Sequence, residues 1–85
     1  MSVHREISAH SSKQAERILG YKKLDAQREF YIEQAIEKCK RGESFQVEEI
    51  NLVTEELNHY AKANHLPDRK YVTREMIQEL CNKSN

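Results

Sequence analysis

Hydrophobic positions in the first half of the chain recur at the spacing of one long amphipathic helix. Between residues 3 and 41 there is no proline and a single glycine. At about 100° per residue, the apolar side chains project into a stripe roughly 140° wide, the width expected of a helix that faces a core. The stripe consists of Val3, Ile7, Ile18, Tyr21, Leu24, Tyr31, Ile32, Ala35, Ile36 and Cys39. The pattern predicts a helix over about residues 3–41.

Two places in this segment could interrupt the helix. Residues 8–12, Ser-Ala-His-Ser-Ser, form helix weakly and offer several N-caps, and Gly20 costs about 1 kcal/mol relative to alanine inside a helix. A break at either place stays open as an alternative to a continuous helix. Arg41 and Gly42 predict the C-terminus, because a cation suits the last turn and glycine accepts the left-handed cap.

A second helix is predicted by a hydrophobic staple, an apolar pair that brackets the first turn of a helix. Phe45 and Ile50 form this pair if Gln46 is the N-cap. Apolar residues then repeat at spacings of three and four. The helix should end before Pro67, because the residue that precedes a proline disfavours helical geometry. The second helix should therefore occupy about residues 47–63.

A similar pair predicts a short third helix. Val72 and Ile77 bracket Thr73, which is a favoured N-cap residue, and apolar residues follow on one face. This helix should occupy about residues 74–82.

The chain has two glycines and one proline in 85 residues, a composition that disfavours a sheet with many turns. We therefore expect an all-α fold, a small bundle of three to four helices forming a single domain over residues 1–85.

The size of the chain suggests self-association. A domain this short buries only roughly 60% of the surface that its unfolded chain exposes. Leu19 and Phe30 also project well away from the main apolar stripe, so the third helix or a second subunit should cover them. A continuous first helix would leave part of its apolar surface without a cover. The candidate interface residues of a homodimer are Val3, Ile7, Ile18, Leu19 and Phe30.

The charge pattern bears on nucleic-acid binding. Lys and Arg together number 14, as do Asp and Glu, so the uniform positive field of most non-specific nucleic-acid binders is missing. A helix-turn-helix is a weak alternative, with Arg69, Lys70 and Arg74 as candidate contacts to phosphates. The turn would have about ten residues where a helix-turn-helix uses three or four. We therefore expect a protein partner and not nucleic acid.

No pattern in the sequence points to catalysis or to a bound cofactor. His4 and His10 are six residues apart, as are His59 and His65, whereas two metal ligands on one helix normally lie three or four apart. The two cysteines are too few for a disulfide framework or a four-thiolate zinc site. Glycine-rich phosphate loops are also missing. We expect no metal, no cofactor and no enzymatic activity.

The N-terminus bears on localisation. Its first residues lack the apolar central stretch of a signal peptide, and nowhere do about 18 consecutive apolar residues occur. We therefore expect a cytoplasmic protein that does not enter a membrane.

Short motifs spread along the chain carry a family resemblance. They are Ser2-Val3-His4, Ile7-Ser8-Ala9-His10-Ser11, Leu24-Asp25-Ala26, Arg28-Glu29, Tyr31-Ile32-Glu33, Val47-Glu48, Ile50-Asn51 and Arg69-Lys70-Tyr71-Val72-Thr73. Together they span nearly the whole chain and resemble the YpbS-like family, small cytosolic proteins of spore-forming, low-GC Gram-positive bacteria. The resemblance implies a bacterial cytosolic origin. It implies no functional residues, because no function is assigned to that family.

The sequence thus favours a protein-interaction or regulatory module over a nucleic-acid-binding regulator. It does not identify the protein partner.

Overall fold

The computed structural model describes residues 2–83, with side chains from residue 13 onward. It has three helices, α1 (Ser2–Lys40), α2 (Glu48–Ala63) and α3 (Arg74–Lys83). Within these described residues there is no strand, so the predicted all-α class is confirmed. Both α2 and α3 pack against α1, whose length sets the 60 Å long dimension of the molecule. None of the described helices is long and apolar enough to cross a membrane.

The structure shows α1 as one helix without a break at residues 8–12 or at Gly20. Gly20 lies where Tyr60 of α2 crosses α1, and the Tyr60 hydroxyl donates a hydrogen bond of 2.9 Å to the Arg17 carbonyl. A Cβ at position 20 would collide with that hydroxyl and would lie 2.8 Å from the ring carbon Cζ. The glycine therefore allows a close approach between helices instead of marking a helix end.

The C-terminus of α1 is closed by Gly42, as its sequence predicts. Gly42 has φ of 74°, the left-handed conformation that glycine adopts at little cost. Its N–H donates to the Cys39 carbonyl at 3.1 Å, and the N–H of Glu43 donates to the Lys38 carbonyl at 2.8 Å. This pair of bonds is a Schellman motif, which satisfies two carbonyls that the end of the helix leaves free.

The start of α2 differs from the prediction by one residue. Its N-cap is Val47 instead of Gln46, and no side chain caps the first turn. Phe45 and Ile50 are both buried in the main core cluster, against which Val47 also packs. The prediction of Gln46 was wrong because burial of these apolar residues, and not a polar cap, fixes where the helix begins.

The start of α3 follows the prediction. The hydroxyl of Thr73 accepts a hydrogen bond of 3.3 Å from the Met76 N–H, so Thr73 caps the helix. Val72 and Ile77, the two members of the staple, are buried in the same core cluster. The third helix thus begins at Arg74, where its capping residue and its apolar pair place it.

The core is small and lies between the C-terminal half of α1 and the other two helices. The largest side chains that are almost fully buried are Ile50, Thr54, Leu57 and Ile77. The buried hydrophobic residues are Ala35, Phe45, Ile50, Leu57, Ala61, Val72, Ile77 and Cys81. This leaves the opposite side of α1 facing solvent.

Candidate functional site

The buried side of α1 has an arginine at its centre. Arg28 is only 9% exposed. Its Nε donates to the Thr54 hydroxyl of α2 at 2.9 Å, and its Nη2 donates to the Lys70 carbonyl at 2.8 Å. The Thr54 hydroxyl in turn donates to the Ile50 carbonyl at 2.8 Å. Arg28 therefore ties α1 to α2 and to residues 64–73, which we call the connecting segment.

Two asparagines of α2 hold the connecting segment in place. Asn51 donates to the Val72 carbonyl at 3.0 Å and accepts from the Val72 N–H at 2.7 Å. Asn58 makes the same pair of bonds with Arg69, at 2.9 and 2.7 Å. The asparagines are two helical turns apart, about 10.5 Å, which matches the roughly 10 Å spanned by three extended residues. Side chains on the connecting segment are therefore fixed relative to α2.

Arg69, one of the three candidate phosphate-binding cations, is engaged within the chain. Its Nε lies 3.2 Å from the Asp25 carboxylate, and its guanidinium lies 5.6 Å from the centre of the Tyr21 ring. The hydrogen bond to Asp25 raises the pKa of Arg69 above its ordinary value. The Tyr21 hydroxyl also donates to the Pro67 carbonyl at 2.7 Å. These contacts attach the connecting segment to α1.

Arg74, the second candidate cation, is also used by the fold. It donates a hydrogen bond of 2.9 Å to the Phe45 carbonyl, and its guanidinium lies 4.9 Å from the centre of the Phe45 ring. The side chain of Lys70, the third candidate, is exposed. Two of the three cations therefore hold loops and helices together.

The histidines form no cluster that resembles a metal site in the described part of the chain. His59 and His65 are both exposed, and residues 13–83 contain no group of three or more side chains that could hold a metal ion. The side chains of His4 and His10 lie outside the described residues.

The two cysteine thiols meet where α1 packs against α3. Cys81 is buried, and Cys39 packs against the core cluster. The hydrogen bond between the thiols is the main cause that raises the pKa of Cys39 above its ordinary value. A raised pKa lowers the thiolate fraction of Cys39 at neutral pH. The two cysteines therefore pack as small hydrophobic residues between α1 and α3.

The side of α1 that faces away from the core exposes apolar residues. Phe30 follows Arg28 by two residues, which places it about 200° around the helix from the buried arginine. Phe30 is 55% exposed and Leu19 is 58% exposed, so α3 does not cover them. Ala26 is exposed one turn before Phe30. We call the surface of Leu19, Ala26 and Phe30 the outward face.

Phe30 stands between two open depressions. Their volumes are about 360 and 600 Å³, and Phe30 and Tyr31 line both. The Phe30 ring contacts the Tyr31 ring edge to face, with 5.7 Å between ring centres. Val53 of α2 lines the larger depression, next to the carboxylate of Glu56. An apolar group of a partner could therefore contact Phe30 together with neighbouring apolar atoms.

The structure separates the five predicted interface residues. Leu19 and Phe30 share the outward face, whereas Ile18 lines a depression of about 170 Å³ with Asn64 and Leu66, on another side of α1. The side chains of Val3 and Ile7 lie outside the described residues. Ala26 was not among the predicted interface residues, although its spacing of four from Phe30 and seven from Leu19 is the signal that places it on the same face.

Comparison with known proteins identifies relatives but no function. Residues 1–83 match a family model described as Protein of unknown function (DUF2533). The chain is 42% identical over 81 residues to the Bacillus subtilis (strain 168) protein named Uncharacterized protein YpbS, and the match covers 95% of each chain. No solved structure matches this chain. The resemblance carried by the sequence motifs is thereby confirmed.

Proposed function

The chain belongs to the DUF2533, or YpbS-like, family, and from its surface geometry we propose that it is a non-enzymatic protein-interaction or regulatory module of the cytosol. The proposed binding surface is the outward face of α1.

The observation that carries this proposal is the exposure of Phe30 in the middle of a long helix. A helix that only covers a core is polar on its far side, whereas this one exposes a phenylalanine and a leucine there. Removing the exposed half of the Phe30 side chain from water would contribute about 1 kcal/mol to binding. Aromatic side chains also provide much of the contact area in protein interfaces.

The use of buried polar groups supports the non-enzymatic part of the proposal. Arg28 and Thr54 are the buried polar residues of the described chain, and their hydrogen bonds join helices and the connecting segment. The amides of Asn51 and Asn58 are likewise engaged with backbone groups. We therefore assign these side chains to the fold.

The geometry gives the nucleic-acid-binding alternative little support. Arg69 and Arg74 would have to give up an ion pair, a carbonyl and two aromatic rings in order to reach phosphates. A phosphate contact made by these residues would therefore weaken the attachment of the connecting segment.

Photo-crosslinking in living cells tests the proposed surface. The photoreactive residue p-benzoylphenylalanine is introduced at position 30 and, as a matched control, at position 71, because Phe30 and Tyr71 are 55% and 54% exposed. We expect adducts of defined mass from position 30 and none in common with position 71. The same adducts from both positions, or none from position 30, would contradict the proposal.

A further inference from the structure

We propose that the partner of the outward face is a second copy of this chain, bound antiparallel so that Phe30 of each copy packs against Ala26 of the other. This inference rests on the proposed function, because it names the occupant of the same surface.

The outward face is the central part of a longer, regular stripe of exposed residues on α1. Its members are Glu16, Leu19, Lys23, Ala26, Phe30, Glu33, Glu37 and Lys40, and all of them are exposed. Successive members are alternately three and four residues apart, which is the spacing of the contact positions in a two-helix coiled coil. The stripe is about 36 Å long at 1.5 Å per residue. A second helix could lie along this whole length.

The charged groups of the stripe take part in no ion pair within the described chain. Residues 13–83 contain two ion pairs, Arg41 with Glu43 and Arg69 with Asp25, and neither involves the stripe. The glutamates and lysines of the stripe are therefore available to a partner.

The order of the charges excludes a parallel pair of helices. In a two-fold symmetric parallel dimer each residue of the stripe lies opposite its own equivalent, so Lys23 would face Lys23 and Glu33 would face Glu33. Like charges placed opposite each other oppose association. A second copy must therefore run in the opposite direction.

An antiparallel pair centred on residue 28 brings unlike charges together. Lys23 of one copy then lies opposite Glu33 of the second copy, and Glu16 lies opposite Lys40. Two-fold symmetry repeats each contact, which gives four ion pairs in the dimer. At the centre, the small Ala26 side chain leaves room for Phe30 of the second copy. Leu19 lies against the methylene carbons of Glu37.

The charges also choose between two antiparallel registers. A shift of the second copy by seven residues would pack Leu19 against Phe30, which is a larger apolar contact. The same shift places Glu16 opposite Glu33 and leaves Lys23 opposite Ala26. It therefore replaces four ion pairs with repulsion between carboxylates, so the register centred on residue 28 is favoured.

The rest of the fold leaves room for this arrangement. The buried residues of α1, such as Arg28 and Ala35, lie on the side on which α2 and α3 pack. The stripe is centred on the opposite side. α2 reaches the edge of the stripe at one place, where Val53 and Glu56 line a depression with Lys23, Ala26 and Phe30, so the second copy would lie beside α2 there.

Exchange of the paired charges tests the inference in solution. The association constant is measured by sedimentation equilibrium for the unmodified chain, for Lys23→Glu and for Glu33→Lys. Each single variant should self-associate at least tenfold more weakly, because every Lys23 to Glu33 contact becomes repulsive. An equimolar mixture of the two variants should regain the affinity of the unmodified chain, since unlike charges face each other again in the mixed dimer.

Lys70→Glu is the matched control, because it makes the same charge change at an exposed lysine outside the stripe. It should leave self-association unchanged, and circular dichroism should show the same helix content for all variants. A monomer at millimolar concentration, or a mixture that fails to regain affinity, overturns the inference. If the unmodified chain is a monomer while position 30 still crosslinks to a different protein, the proposed function stands and the second copy is rejected.

Discussion

At the scale of single residues, Arg28 has the most exacting environment. A buried cation is costly unless hydrogen bonds satisfy it, and here both acceptors are neutral oxygens, one hydroxyl and one carbonyl. The planar guanidinium reaches two acceptors in different elements at the same time, which a lysine ammonium cannot do with the same geometry. Arg28 therefore fixes where the connecting segment lies.

Substitution of Arg28 should destabilise the protein strongly. Arg28→Ala removes two charge-assisted bonds and leaves the Lys70 carbonyl without its donor, so the free energy of unfolding should fall by about 3 kcal/mol. Arg28→Lys should lose less. Arg69→Ala is the control, because its ion pair is partly exposed and should contribute roughly 1 kcal/mol or less. Urea denaturation measures all three, and equal losses for Arg28→Ala and Arg69→Ala would contradict this account.

At the scale of the helices, two of the four internal helix ends carry local signals that sequence alone reveals. Gly42 closes α1 and Thr73 opens α3, as each is predicted to do. The end of α2 is different, because His65 has φ of 57° in the left-handed region. The N–H of Leu66 donates to the Ala61 carbonyl at 2.8 Å, so α2, like α1, ends with a left-handed residue and a bond that spans it, but without a glycine.

Replacement of His65 by glycine should stabilise the protein. The left-handed conformation costs a residue with a Cβ roughly 1–2 kcal/mol, and glycine removes this cost. Part of the resulting gain in stability is lost because glycine is more flexible in the unfolded chain. His65→Gly should therefore raise the free energy of unfolding by about 0.5–1 kcal/mol. Chemical denaturation of this variant beside His59→Gly, at an exposed position inside α2, measures the difference. The control should be destabilised, by about 1 kcal/mol.

Features that depend on distant parts of the chain could not be predicted from the sequence. From the sequence, Gly20 resembled a helix breaker. The contact that requires a glycine there is made by the ring of Tyr60, which is 40 residues away in the chain. The helical period places Arg28 at a core position. Nothing in the residues near Arg28 indicates that its side chain binds the Lys70 carbonyl, which is 42 residues away. The outward face was partly predictable. Leu19 and Phe30 were identified from the sequence. The order of charges along the stripe could be related to a partner helix only because α1 is continuous.

At the scale of the whole molecule, charge is balanced but unevenly placed. Acidic and basic side chains are equal in number, and the connecting segment contains two of the three candidate phosphate-binding cations, Arg69 and Lys70. Arg69 contacts Asp25 and Tyr21. Lys70 is exposed, so of these two cations it is the one available to a phosphate. A single exposed lysine contributes little to binding a polyanion.

The unmodified protein should therefore bind double-stranded DNA no better than a neutral protein of similar size. Low salt favours any phosphate contact, so a filter-binding or column assay at low ionic strength is the most sensitive test. The diagnostic variant is Lys70→Ala, because substitution of Arg69 or Arg74 also removes contacts that hold the fold. Lys62→Ala, at an exposed lysine near the end of α2, is the control. Retention that falls steeply with salt and that Lys70→Ala weakens more than Lys62→Ala would contradict this prediction, and it would restore the nucleic-acid-binding alternative.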